Sequence, residues 1–115
     1  MKHIVETTRE MYYSTEPFAE IIVDKVVWAL RKSAITEAED VAVMLDVDRV
    51  QLSGALVMLT GMTLHQIIRE WRLLQAQELI AAGDLSLNAI ARKCGWKNER
   101  VLKKIMRTES LPISI

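Results

Sequence analysis

Arg100, Lys103, Lys104 and Arg107 recur at i, i+3, i+4 and i+7 in this 115-residue chain. That spacing puts four side chains on one face of a helix. Four cations held this way repel one another, and a polyanion laid along them relieves the repulsion. A phosphate-lined major groove would do so, and an arginine among them can read guanine bidentately, worth about 1–3 kcal/mol of discrimination. A plain solvated basic face is the competing reading. Other chemistry is sparse. No nucleophile–base pair, carboxylate dyad or glycine-rich phosphate loop is present, so the chain is not expected to be an enzyme or to hold a cofactor. Cys94 is the single cysteine, which leaves no intrachain disulfide and no cysteine-rich zinc site. It precedes a glycine where a packed thiol is expected. His3 and His65 have no paired ligands at helical spacing, so no metal is expected.

The formal net charge is zero and half the residues are apolar, which suits one small domain with a substantial core. The charge is unevenly spread. Up to residue 60 there are six basic and ten acidic residues, and after it nine and five. Such asymmetry hints at nucleic-acid contact towards one end. The N-terminus lacks the apolar run of a signal peptide, and no stretch reaches membrane-spanning length. A cytoplasmic protein with no membrane partner is the expectation.

The elements that must position the basic face are helical. Period-2 alternation is scarce and helix caps recur. Residues 1–16 are expected to be a mobile arm, although Met11, Tyr12 and Tyr13 could dock. Pro17 suits a first helical residue, opening a helix from Phe18 to Lys32. Phe18, Ile21, Ile22, Trp28 and Ala29 are expected to face the core, with Val23, Val27 and Leu30 widening the apolar surface. Thr36 with Glu39 reads as a capping box before the short "DVAVML". Asp48 caps "RVQLSGALVML", which stops at Thr60-Gly61. A second capping box, Thr63 with Gln66, opens the longest helix, Leu64 to Ala82, and Gly83 closes it. Ser86 caps "LNAIARKC", Gly95 breaks it, and Asn98 caps "ERVLKKIMR". Trp71 and Trp96 are expected to pack in the core.

Internal repetition organises these helices. Leu52 and Leu56 correspond to Leu102 and Met106 at an offset of fifty, and Val41-Ala42 to Ile90-Ala91 at forty-nine. The second copy therefore has one extra residue in its turn. Each copy is a short helix with an apolar-Ala pair, a tight turn, and a helix anchored by apolar residues four apart. Two crossing helices need a small residue where they touch, which Ala42 and Ala91 supply. This is a helix-turn-helix pattern, twice, around a long helix. The expected divisions are an arm at 1–16, a first unit at 17–62, a connecting helix at 63–83 and a second unit at 84–115.

With these motifs in place, the chain resembles the DNA-binding domain of the AraC/XylS family of bacterial transcription regulators. That family typically ends its first unit in Thr-Gly-Met-(Ser/Thr), matched by "TGMT" at 60–63. An Arg-Leu-x-x-Ala-x-x-Leu-(Leu/Ile) stretch follows, matched by "RLLQAQELI" at 72–80. "LSLNAIARKCGW" at 85–96 matches the start of the second unit. The similarity covers roughly residues 18 to 107. It implies an all-α fold of two homeodomain-like helix-turn-helix subdomains joined by a long helix, binding the major groove of double-stranded DNA to regulate transcription. It also implies that Asn98, Glu99, Arg100, Lys103 and Lys104 read bases or face the groove, with Arg107 nearer the backbone. The family's closing aromatic-Gly-x-x-Pro-x-x-Tyr-Arg segment is replaced by "TESLPISI", with Leu111 near the expected glycine and Pro112 displaced.

The first copy differs in charge. At the offset of fifty, the four cations become Val50, Ser53, Gly54 and Val57. Only Arg49 and Gln51 could hydrogen-bond to bases, and Ser53 could reach a phosphate. Gly54 costs about 0.5–1 kcal/mol relative to Ala within a helix, so something could approach closely there. Two readings stay open. The first unit reads DNA through thymine methyls and a few polar groups, or its apolar face, with Met58, meets a protein. If both units read DNA, the connecting helix would be about 28–30 Å long, close to the groove repeat of about 34 Å. Were DNA binding lost altogether, the chain would be a degenerate interaction module. It would meet a partner or itself through Val50, Val57 and Met58, or through Val23 and Val27 of the first helix.

Overall fold

The computed structural model describes residues 7–32 and 37–108, and the described residues form seven helices and no strand. They are α1 (Thr8–Tyr13), α2 (Ile21–Lys32), α3 (Ala38–Leu45), α4 (Arg49–Thr60), α5 (Leu64–Ala82), α6 (Leu87–Lys93) and α7 (Glu99–Thr108). The chain is all-α. Its contacts divide it into two compact units, Met1–Trp71 and Arg72–Ile115, with the boundary falling within α5.

In the first unit, the core gathers Val41 and Ala42 of α3, Leu52 and Leu56 of α4, and Leu64, Ile67, Ile68 and Trp71 of α5. From α2 it takes Val23, Val26, Val27, Ala29 and Leu30. Val23, Val26, Val27 and Leu30 stand at i, i+3, i+4 and i+7, a single stripe. This corrects the face expected for α2, because Ile21 and Trp28 lie outside the stripe and are exposed. A helix apolar on all sides has several possible stripes, and the fit to α3 decides among them. Val23 and Val27, considered as a partner surface, are therefore core. Pro17 does not open α2 either. The chain reaches Ile21 through a loop in which the Phe18 N–H donates to Asp24 Oδ1 at 2.8 Å.

Part of the expected arm is folded. Thr7 caps α1 by accepting from the Glu10 N–H, and Met11 and Thr8 are fully buried. Arg31 holds the other end, donating to the carbonyls of Met11, Tyr12 and Ser14 at 3.3, 3.4 and 2.7 Å. The Tyr12 ring lies 4.8 Å from that of Trp71. All three contacts come from one terminal nitrogen of Arg31, whose two N–H groups are shared among carbonyls left open at the helix end.

Side-chain caps fix the starts of α4 and α5. Asp48 accepts from the Gln51 N–H at 3.0 Å, and Thr63 and Gln66 form the reciprocal box at 2.9 and 3.1 Å. Glu37 stands at the start of α3 without a side-chain cap bond. Thr36, expected to cap there, lies outside the described residues, as do Leu111 and Pro112. Between α4 and α5, the Thr60 hydroxyl donates to the Leu56 carbonyl at 2.7 Å and accepts from the Met62 N–H at 3.1 Å. Gly61 turns the chain there at φ 77°.

The second unit packs Leu73 and Ala76 of α5, Ile90 and Ala91 of α6, and Leu102 and Met106 of α7 around Cys94 and Trp96.

The two tight turns have the same hydrogen bonds. In the first unit the Asp46 N–H donates to the Val43 carbonyl and the Val47 N–H to that of Ala42. In the second, Gly95 donates to Arg92 and Trp96 to Ala91. The residue that reverses the chain is left-handed in both, Asp46 at φ 55° and Gly95 at φ 94°. The extra residue of the second copy thus falls after Trp96, and it is Lys97.

Two glycines are expected to respond oppositely to alanine. Gly95→Ala should destabilise by about 1–2 kcal/mol, the cost of a Cβ in the left-handed region. Gly54→Ala should stabilise by about 0.5–1 kcal/mol, because a Cβ there meets nothing within 4 Å. Chemical denaturation of both variants checks the pair.

Candidate nucleic-acid interface

The basic face depends on how α7 leaves its turn. Ser86 caps α6 by accepting from the Ala89 N–H at 3.1 Å. Asn88 then accepts from the Glu99 N–H at 3.3 Å, and Asn98 from the Val101 N–H at 3.1 Å. These bonds satisfy backbone donors that the first turn of α7 would otherwise leave open. Leu102 and Met106, fully buried, set the rotation of the helix about its axis. Arg100, Lys104 and Arg107 are then exposed and Lys103 is half-buried.

Arg72 braces the turn. Its Nε donates to the Cys94 carbonyl at 2.7 Å, and its guanidinium lies 4.4 Å from the centre of the Trp96 ring. Trp71 and Trp96 are buried as expected, unlike Trp28. Cys94 is buried as well. Burial pushes its thiol up, opposed in part by the charges of Arg72 and Lys93. A protonated, enclosed thiol is a packing group.

Among the residues singled out from the sequence, the structure brings Asn98, Glu99, Arg100, Lys103, Lys104 and Arg107 together on the first three turns of α7 and its cap. Several of them have structural partners, among them Arg107, whose Nε donates to the Lys103 carbonyl at 3.4 Å. The Asn98 side-chain oxygen is the helix cap. Glu99 lies 3.4 Å from Lys103, an exposed pair one helical turn apart. Such pairs contribute about 0.3–0.5 kcal/mol, so the repulsion among the four cations is partly relieved within the helix. Arg49, Gln51 and Ser53 belong to α4 of the first unit. Arg49 pairs with Glu39 at 3.5 Å.

Three cations escaped the sequence reading. Arg92 and Lys93 on the last turn of α6, and Lys97 in the turn itself, are exposed. Aligning the two copies through their turns would have found them, since Lys97 is the inserted residue and Arg92-Lys93 replaces Val43-Met44. His65 stands exposed in the first turn of α5, and His3 is outside the described residues. Among the described residues no cluster of His, Cys, Asp or Glu could hold a metal ion, and no helix is long and apolar enough to cross a membrane.

A family model described as a helix-turn-helix domain matches residues 41–109. That span exceeds half the chain and contains both tight turns and both helices that follow them. The chain belongs to the AraC-type helix-turn-helix family. DNA binding and regulation of transcription are the general role of this AraC-type domain. No curated protein and no solved structure matches the chain.

Arg72→Ala removes both the hydrogen bond to the turn and the stacking on Trp96. The expected loss is about 1–3 kcal/mol, read as a lower denaturation midpoint. Cys94 should react slowly with a thiol reagent in the folded protein and rapidly in denaturant, which a timed labelling assay checks.

Proposed function

We propose that this AraC-type domain binds duplex DNA chiefly through its second helix-turn-helix, with α7 in the major groove. One observation carries the reading: the anchors Leu102 and Met106 turn four cations of α7 outward, directly after a braced tight turn. On this reading Arg100 and Lys104 reach base edges. Lys103 and Arg107 hold phosphates, and Arg92, Lys93 and Lys97 add backbone attraction. Glu99 can accept from cytosine once Lys103 turns to a phosphate. Asn98 contributes by fixing the first turn of α7.

Arg49, Gln51 and Ser53 are left out of this set. The helix that bears them presents no cation besides Arg49. The family assignment does not favour the alternative of an interaction module that has lost DNA binding.

Selection of bound duplexes from a random pool, followed by titration at several salt concentrations, tests the proposal. With about five phosphate contacts, log affinity should fall against log salt with a slope of about −4 to −5. No binding at low salt would overturn it. Arg100→Ala should relax sequence preference at one position, whereas Lys103→Ala should weaken all duplexes alike and reduce the slope by about one.

A further inference from the structure

The matching turns define how the two units correspond: at an offset of forty-nine through the turn, and fifty from the caps Asp48 and Asn98 onward. On that alignment each cation of the second helix-turn-helix, apart from the inserted Lys97, meets a neutral residue in the first. Arg92 and Lys93 become Val43 and Met44. Arg100, Lys103, Lys104 and Arg107 become Val50, Ser53, Gly54 and Val57. The acidic residues reverse in the same way. Glu37, Glu39 and Asp40 at the start of α3 correspond to Ser86, Asn88 and Ala89. Asp46 and Asp48 in the turn correspond to Gly95 and Asn98. Apart from Arg49, which corresponds to Glu99, two copies with the same buried scaffold therefore carry contrasting outer surfaces, one acidic and apolar and one basic.

The first surface is apolar and open. Val43 and Val50 are each 70% exposed and Met58 is 89% exposed. Val50, Val57 and Gly54 line a groove of about 540 Å³ together with Glu37, Glu39, Arg49 and His65. A Cβ on Gly54 would meet nothing within 4 Å, so the missing side chain leaves the groove deeper. Exposed apolar ground with a polar rim marks an interaction site on a small protein.

Charge chooses the occupant. Glu37, Glu39, Asp46 and Asp48 are all exposed against the single cation Arg49, which pairs with Glu39, so the ground before and at the start of α4 is net acidic and repels a phosphate backbone. A second copy docking through the same surface would oppose these carboxylates to themselves. A helix with an apolar stripe flanked by lysines or arginines satisfies both features, filling the groove while its cations meet the rim. We propose that the outer face of α3 and α4 is a docking surface for a basic amphipathic helix of a partner protein. The proposal stands whether or not α7 reads DNA.

The test uses the full chain and two synthetic 18-residue amphipathic peptides of matched apolar face, one Leu/Lys and one Leu/Glu, without DNA. Amide shifts on adding the Leu/Lys peptide should be confined to Val43, Val50, Gly54, Val57 and their neighbours, and the Leu/Glu peptide should leave the spectrum unchanged. The double variant Val50→Ala, Val57→Ala, exposed and compatible with the helix, should bind the Leu/Lys peptide at least tenfold more weakly. Glu37→Gln with Glu39→Gln should weaken it at low salt only. Equal response to both peptides, or shifts elsewhere, would overturn the proposal. So would concentration-dependent dimerisation mapped to these residues, which makes a second copy the occupant.

DNA binding by the Val50→Ala, Val57→Ala variant separates this proposal from the reading of α7. Affinity within twofold of the parent protein is expected. A tenfold loss would place α4 in a groove and overturn the docking surface. If the parent protein binds no duplex at all, only the α7 reading fails, and the peptide arm still decides this one.

Discussion

The constraint on which the rest of the structure depends is the packing of two short helices around a core that includes one enclosed alanine, Ala42 in the first unit and Ala91 in the second. A larger side chain at Ala42 or Ala91, both fully enclosed, would hold the helices apart, because interiors packed this densely have no room to absorb an added group. The close packing in turn demands an abrupt reversal of the chain. That reversal needs one residue in the left-handed region and two backbone N–H groups returned to the preceding helix. Asp46 and Gly95 meet the first need, with φ 55° and 94°. The carbonyls of Ala42 and Val43, and of Ala91 and Arg92, meet the second. Everything exposed on α4 and α7 takes its direction from this device.

Because the device is made of backbone and buried apolar atoms, it is indifferent to what the outer surface carries. Leu52 and Leu56, or Leu102 and Met106, supply the anchor in each copy, and the positions between them are free to change. One copy has filled them with cations and the other with valine, serine and glycine. Exchanging charged for neutral residues on an unchanged scaffold is inexpensive for stability, since surface substitutions rarely shift it by more than about 0.5 kcal/mol. Its effect on what can bind is large. Desolvation and repulsion at a contact decide between a phosphate backbone and a protein surface.

The bracing differs between the copies for a physical reason. The second turn carries an inserted Lys97 and a reversal at glycine, the most permissive residue, and it has an external brace in Arg72, which binds the Cys94 carbonyl and covers Trp96. In the first unit an arginine serves a different purpose. Arg31 gathers three carbonyls at the end of α1, so a six-residue helix too short to persist alone is held against the core.

Sequence alone determined the helices with strong caps and the positions of the two turns. Ser86, Asp48, Asn98 and the pair Thr63–Gln66 act on backbone within three residues of themselves, so their effect is legible from local order. The repeat was legible for the same reason: buried anchors recur at nearly constant spacing, and the four cations of α7 stand out between them. Other features depended on groups far apart in the chain. The stripe of α2 that is buried was chosen by packing among several apolar faces, and α1 became a helix because Arg31, about twenty residues on, satisfies its end. The pairing of Arg49 with Glu39 and the brace of Arg72 on Trp96 join residues of different elements, and no periodicity records them. Tertiary structure decided these because each is a contact between elements, whereas caps and repeats are written within one.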